Sequence, residues 1–486
     1  MRLRQLTVPL SRTIEAHQSI STKQASHGVQ RAKRLLVAVT TAVALTTASI
    51  APAWAQAIPL IRDSEIEALV GDYARPIFRA AGLGAQNIAI RIVRHDSFNA
   101  FVVDGRNVFI HTGLLTQATT PNEVIGVLAH ETGHITGGHL AALRARIARD
   151  QTKALLVSIL GIGAMIAGAR SGSESGRELG GLGQGVMLGG NEVLMRGILA
   201  ERRAQESAAD QAALKFLNAT RQSGRGLLTT FERFAEQEFA SEQNMDPFVR
   251  SHPVATTRLN QLRDLAPRTP HVNAVDPPAL QLRHEMMKAK ISGYLDRPQI
   301  VANKYPRSDN SLPARYARTI AANCSGRCDN AIGLVDELIN ADPRNPYFVE
   351  LKGNLLYQSG KPRQAVPYLR KALQMAGGTP PMLLVNLAQA LLNSEIPGSV
   401  ETALQHLRQA SIIDPDFAGT HRLMSTAFGK LGQQPQAELA AAQAHFIDGN
   451  IDQAKSFARR AQAGLKKGQP EWIRAEDIVT YKDTQR

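Results

Sequence analysis

A chain of 486 residues exceeds what one ordinary hydrophobic core organises and should divide into two or three domains. The formal charge of +14 is concentrated at the start: residues 1–34 hold seven Lys or Arg (Arg2, Arg4, Arg12, Lys23, Arg31, Lys33, Arg34) against the single acid Glu15, and removing that excess leaves +8. Such a balance favours anionic surfaces without requiring nucleic acid, for which the chain shows no aromatic-basic recognition motif.

Residues 31–57 read as an export signal. Arg31, Lys33 and Arg34 precede an uncharged run from Leu35 to Ile50, and Ala53-Trp54-Ala55 forms a small-x-small cleavage site before Gln56. An uncleaved anchor is the competing reading; cleavage is favoured because the apolar run is short for a bilayer span and broken by threonines. Either way the body of the protein leaves the cytoplasm.

From Asp63 to Ala81 the spacing of Ile66, Leu69, Tyr73 and Ile77 predicts an amphipathic helix, which Pro76 is expected to kink or divide. Ile88, Ile90 and Ile92 alternate as a strand. Phe98 to Val103 and Val108 to Ile110 flank Asp104-Gly105-Arg106-Asn107 as a hairpin. The exposed edge of such a sheet either captures an extended peptide by adding it as a strand or is purely structural.

Val127 to Leu140 carries the chemistry: Val-Leu-Ala-His-Glu-Thr-Gly-His-Ile-Thr-Gly-Gly-His-Leu. At about 100° per residue, His130 and His134 lie about 40° apart on a helix, so two imidazoles point the same way from adjacent turns, which is half of a zinc site. Glu131 falls at the edge of that face and suits a general base acting on water rather than a ligand. Val127, Leu128, Ile135 and Leu140 supply an apolar flank that buries the helix. A five-residue pattern also arises by chance, so the rest of the chain decides. His139 falls about 140° round from His134 on an ideal helix, cannot share its metal there, and is expected to be a surface or capping residue.

Ala154 to Ala169 is almost wholly apolar but about four residues short of a typical bilayer span, and reads as a mobile flap or a surface-docking hairpin with peripheral membrane contact. The Gly-Ser-rich run from Ser171 to Gly190 reads as a mobile lid; its glycines match neither dinucleotide nor Walker spacing. Arg202 to Leu217 returns to a clean helix, where Glu206 and Asp210 share a face four residues apart. One carboxylate can bind a metal while the other orients a ligand imidazole. Without the upstream histidines they would be two solvated acids. Ser251-His252-Pro253 then sits at a chain reversal, with Arg258 about one and a half turns inside the next helix.

His130-Glu131-x-x-His134, Glu206-x-x-Ala209-Asp210 about seventy residues later, and His252-Pro253 followed by Arg258 resemble, in order and spacing, the HtpX-like gluzincin zinc metallopeptidases. Asn99-Ala100-Phe101 and Thr112-Gly113-Leu114-Leu115 extend the resemblance. It implies one Zn2+ per subunit, held by His130, His134 and Glu206, with Glu131, Asp210 and His252 as the catalytic set. Asp210 would support a ligand, and His252 would stand near the metal, able to take the water's position in a resting state. HtpX-like relatives carry firm transmembrane helices that this chain lacks, which favours a soluble periplasmic branch.

Ala266 to Pro278, with four prolines, reads as a linker. Beyond it, Ala331, Ala365, Ala403 and Ala437 recur 34, 38 and 34 residues apart at the first small position of a second helix, with Gly353 and Leu356 on a first helix. Tetratricopeptide-like repeats follow, closed by Ala454, Ala458 and Ala461; a plain helical bundle is the alternative. Cys324 and Cys328 read as a disulfide closing a tight loop, or as free thiols. The expected architecture is mainly α: an export signal over 1–55, a gluzincin-type zinc protease domain with a small β-sheet over 56–265, a linker and connecting helix over 266–310, an all-α repeat solenoid over 311–467 and a tail over 468–486. The resemblance implies a metalloendopeptidase that degrades misfolded or stalled outer-membrane proteins in the periplasm. Its repeats would engage unfolded clients or the β-barrel assembly machinery. The alternative is a mainly non-proteolytic chaperone or scaffold.

Overall fold

The computed structural model describes residues 59–482 except 104, 154–173, 236–251, 253–255, 325–327 and 378. The export segment, the apolar run 154–169, Ser171 to Ser173, Ser251 and Pro253 lie outside the described residues, as do the side chains of Cys324 and Cys328. From Pro59 onward the chain is one compact unit.

Helix α1 (Ser64–Ala80) starts where Asp63 Oδ1 accepts from the backbone N–H groups of Glu65 and Ile66, both at 3.0 Å. It neither divides nor stops at Pro76, which stands inside it. Tyr73 before the proline and Ile77 and Phe78 after it are all buried in one core, and that shared burial holds the helix together across the missing hydrogen bond.

Strands β1 (Leu60–Ile61), β2 (Ala89–Val93), β3 (Ala100–Val102) and β4 (Asn107–His111) form a sheet in the order β1-β2-β4-β3. β3 and β4 are the expected antiparallel hairpin, with Phe101 opposite Phe109, and β2 runs parallel to β4. The hairpin therefore leaves β3 at the edge. Helix α2 (Thr112–Gln117) leads to α3 (Pro121–Thr136), which has Pro121 in its first turn and is buried from Val124 through Gly133. Val127 and Leu128 join α1, β4 and Phe231 in one core; Ile135 packs against its margin.

A further helix, α4, occupies 139–153. Helix α5 then runs from Glu174 to Ala219, so the glycine-rich stretch expected to be a mobile lid is helical from residue 174. Extending an existing helix gains one hydrogen bond per residue fixed, which offsets the roughly 1 kcal/mol by which each glycine disfavours it. Helices α6 (Arg225–Ala235) and α7 (Thr256–Leu265) complete the half of the unit that carries the histidines.

Helices α8 (Pro278–Leu295) and α9 (Pro298–Lys304) lead into antiparallel pairs: α10 (Leu312–Cys324) with α11 (Cys328–Ala341), α12 (Pro346–Gln358) with α13 (Pro362–Met375), α14 (Pro381–Leu392) with α15 (Ser399–Ile413), α16 (Ala418–Lys430) with α17 (Gln434–Ile447). Ala331, Ala365, Ala403 and Ala437 are all buried on the second helix of a pair. Gly353 explains its own identity: a Cβ there would lie 2.6 Å from Leu369 Cγ on the partner helix. Helix α18 (Ile451–Gly464) does not end the solenoid. The expected tail is helical from Pro470 to Thr480 (α19), burying Ala475 and Ile478 against Ala454, Ala458 and Ala461, whose small side chains leave a groove that another helix must fill. Among the described residues no helix is long and apolar enough to cross a membrane.

The repeats fold back on the sheet. Between α15 and α16, Asp414 meets Arg62 at 2.5 Å and Arg91 at 3.1 Å, and Asp416 meets Arg91 at 3.2 Å.

Candidate metal centre

Helix α3 turns His130 and His134 to one side, their Nε2 atoms 3.1 Å apart. Gly133, between them, decides what faces them: a Cβ there would lie 2.8 Å from the carbonyl oxygen of Ala209, so the absence of a side chain lets α5 lie directly on α3. That contact delivers Glu206 and Asp210, which flank Ala209. Glu206 Oε2 stands 3.4 Å from His130 Nε2 and Oε1 stands 3.5 Å from His134 Nε2. His252, from the segment before α7, brings Nδ1 to 3.1 Å from Glu206 Oε2 and 3.3 Å from His130 Nε2. One donor atom from each of these four residues lies within 4.8 Å of the others.

Imidazole nitrogens and carboxylate oxygens can share hydrogens pairwise at such distances, but here the Nε2 atoms of His130 and His134 also face each other at 3.1 Å on the same side as Glu206 and His252. A tetrahedral ion with bonds of about 2.0–2.1 Å to N and O donors sets its donors roughly 3.4 Å apart, and the separations of 3.1–3.5 Å found here fit that geometry.

Around the donors lies a second layer of contacts. His130 Nδ1 is 2.9 Å from Asp210 Oδ1. Arg258, on α7, donates from Nε to Asp210 Oδ2 at 2.7 Å and from Nη2 to Oδ1 at 2.8 Å, and its Nη1 lies 3.1 Å from Glu206 Oε2. The guanidinium packs 4.8 Å over the Phe231 ring. Glu131 is buried beside this group; among the described residues its Oε1 has no hydrogen-bond partner, and it stands 3.5 Å from His252 Nε2.

The model of peptidase family M48 matches residues 24–266, half of the chain. The chain belongs to that family. It is similar to the beta-barrel assembly-enhancing protease of Escherichia coli (strain K12), at 23% identity over 419 residues, which cover 84% of this chain and 81% of the relative. The namesake from Yersinia pestis is 23% identical over 425 residues, covering 86% and 83%. Metalloprotease LoiP of Escherichia coli (strain K12) is 28% identical over 182 residues, 37% of this chain and 64% of that one.

The electrostatics of this M48 metallopeptidase suit a cation. Among the described residues, three buried carboxylates, Glu131, Glu206 and Asp210, surround the imidazoles, with Arg258 against Asp210 and Glu206, an oxygen-and-nitrogen donor set that suits a divalent ion. Burial alone would lower the His130 imidazole, but Asp210 and Glu206 outweigh it and raise it to about 9. Burial pushes His134 down to about 3, which keeps its ring neutral. Burial also raises Glu131. Against their own burial, Glu206 is held low by His252, His130 and His134, and Asp210 by His130 and Arg258.

A groove of about 520 Å³ opens beside the centre, with Glu131, His134 and His252 on one side and Phe101 and Val102 of edge strand β3 on another. Two residues act here in ways that spacing alone did not reveal. Arg258, singled out in the sequence only by its place after His252-Pro253, ties Asp210 and Glu206 together; its partners are 48 and 52 positions away, so spacing gave it no role. His139 touches His134, Nδ1 to Nδ1 at 3.0 Å. The ideal-helix extrapolation fails because α3 ends at Thr136, and the pair Gly137-Gly138 was the signal of that ending.

Proposed function

We propose that this M48 peptidase is an exported zinc endopeptidase of the periplasm, acting on misfolded or stalled outer-membrane proteins, with a protease domain over 56–265 and a repeat domain from 311 through α19 that holds clients. The observation that carries the catalytic reading is the convergence of His130, His134, Glu206 and His252 beside a buried Glu131. The client class rests on similarity to the beta-barrel assembly-enhancing proteases over both halves of the chain.

His130, His134 and Glu206 hold the ion, and Asp210 fixes the His130 ring through Nδ1. When bound, zinc supplies Lewis acidity that polarises the scissile carbonyl and makes water a nucleophile near neutral pH. Glu131 takes that water's proton and passes it to the leaving amine; its raised pKa suits a carboxylate that must hold a proton between the two transfers. The substrate lies along the groove beside β3, whose edge position supports capture of an extended strand.

His252 is the latch of the resting enzyme. Its Nδ1 stands among the donors themselves, which supports a fourth ligand that excludes water. His252→Ala then raises basal cleavage of unfolded protein. A fall in rate assigns His252 to stabilising the reacting carbonyl oxygen instead, and no change removes both roles.

The central test is metal content and cleavage of an unfolded porin by the mature protein and by Glu131→Gln. The wild type carries about one zinc and cleaves; the variant keeps its zinc and loses on the order of 10²–10⁴-fold in rate. Wild-type protein without stoichiometric zinc after native preparation overturns the proposal. Full rescue of an outer-membrane assembly defect by Glu131→Gln would place the function in the repeats as a chaperone.

A further inference from the structure

The geometry points to His139 as the residue that positions the ligand His134, accepting a hydrogen bond at its Nδ1 and thereby setting the affinity of the site for its metal. This rests on the metal-peptidase reading above.

The two ligand imidazoles of α3 are supported differently. His130 has Asp210 at Nδ1, itself clamped by Arg258 and buried. His134 has His139 at Nδ1, at 3.0 Å, with the rings 5.0 Å apart and nearly perpendicular at 84°. Two imidazole nitrogens at that distance need a hydrogen or an ion between them; His139 is not among the four convergent donors, so here it is a hydrogen, and a neutral ring has one protonated and one bare nitrogen. His134 Nε2 faces His130 Nε2 at 3.1 Å and Glu206 Oε1 at 3.5 Å, so it is the metal-facing nitrogen and must be bare. The hydrogen therefore sits on His134 Nδ1 and is donated to His139 Nδ1, which fixes both the tautomer and the ring plane of the ligand.

The chain is built to make this contact. On a continued helix His139 would point away from His134, but α3 stops at Thr136 and Gly138 takes φ +61°, a left-handed turn that folds residue 139 back. Gly137 makes the room: a Cβ there would lie 2.2 Å from His139 Nε2 and 2.6 Å from Cδ2. The two adjacent glycines thus have separate causes, one conformational and one steric, and both serve the same ring.

The test is the zinc dissociation constant of the full mature protein, measured by competition with a chromogenic chelator, for wild type, His139→Ala, His139→Asn and Gly137→Ala. Loss of an outer hydrogen-bond partner typically weakens a site about 10–100-fold. His139→Ala and Gly137→Ala should both fall in that range. His139→Asn, whose Oδ1 takes the place of Nδ1 as acceptor, should stay within about threefold of wild type, a rescue that a packing role for the ring would not show. If His139→Ala does not fold, Gly137→Ala carries the comparison, since it leaves the histidine in the sequence and displaces only its ring. Wild-type affinity in the folded alanine variants, or an asparagine variant as weak as alanine, overturns this inference alone. A wild type that binds no zinc overturns the metal reading beneath it.

Discussion

Two buried acidic clusters of this protein have opposite fates. At the candidate metal centre, Glu131, Glu206 and Asp210 surround imidazoles whose nitrogens converge. At the junction with the repeats, the Lys290 ammonium lies 2.8 Å from Asp63 Oδ2 and 3.1 Å from Glu65 Oε2, Tyr316 donates to Glu65 Oε2 at 2.9 Å, and Asn386 donates to Glu350 Oε1 at 3.0 Å. The junction thus carries as many carboxylates as the metal centre, yet among the described residues the centre alone gathers three or more metal-binding donors at one point. Carboxylates alone do not make a metal site. What separates the clusters is the chemistry of the partners: the junction sets its carboxylates against its own lysine, whereas the centre sets Glu206 among three imidazoles that can ligate a metal.

That comparison breaks most severely at Glu206. Glu206→Ala removes one donor and one of the carboxylates that draw a cation in, and zinc content measured by mass spectrometry of the native protein should fall from about one per chain to near zero, with loss of cleavage. The junction should be insensitive to that change.

Lys290→Met is the converse. It leaves Glu65 and Glu350 buried, and Asp63 half-buried, without their ammonium, and thermal or denaturant unfolding should show a loss of about 3–5 kcal/mol. Zinc bound per folded molecule should stay unchanged. A metal-depleted but equally stable variant would mean that the two clusters are not independent.

A smaller effect should appear with pH. Burial raises the Glu350 carboxyl, Lys290 partly opposes it, and Asp63 and Glu65 add to it, giving about 7 against an ordinary 4.5. The folded protein therefore binds more protons here than the unfolded chain between those values. This contribution is fully present below about pH 4.5 and is lost as pH rises through about 7. Glu350→Gln keeps an oxygen for Asn386 and removes the titration, so its melting temperature should decline less than that of the wild type between pH 5 and 8. Parallel curves would show that Glu350 does not titrate in that window. Lys290 stays charged throughout, because Asp63, Glu65 and Glu350 outweigh its burial.

Much of this molecule is legible in order along the chain. His130 and His134, and again Glu206 and Asp210, are four apart on helices, and a helix with 3.6 residues per turn gives such pairs one face whatever surrounds them. The alanines at 331, 365, 403 and 437 mark second helices because only a small side chain fits where paired helices touch. The hairpin around Gly105 follows from alternation on either side of a turn. Each of these features depends on a period that the backbone imposes locally.

The errors lie where local rules compete with packing. Pro76 failed to divide α1 because burial on both sides held it, and the glycines after residue 174 failed to break α5 because an established helix extends cheaply. The stretch 470–480, expected as part of a tail, is a helix instead, because three alanines on α18 leave a groove that it fills.

By itself, then, the sequence determined which side chains share a face and which chemistry those faces carry, because helix and strand periods need no knowledge of the rest of the chain. Tertiary structure alone decided the pairings: Arg258 with Asp210 and Glu206, Lys290 with Asp63 and Glu65, Arg62 and Arg91 with Asp414, and His139 with His134. Most of these partners are remote in sequence, and the one close pair meets only because two glycines end a helix. A pairing of that kind depends on where whole elements come to rest, which close packing of the core fixes and no local period encodes.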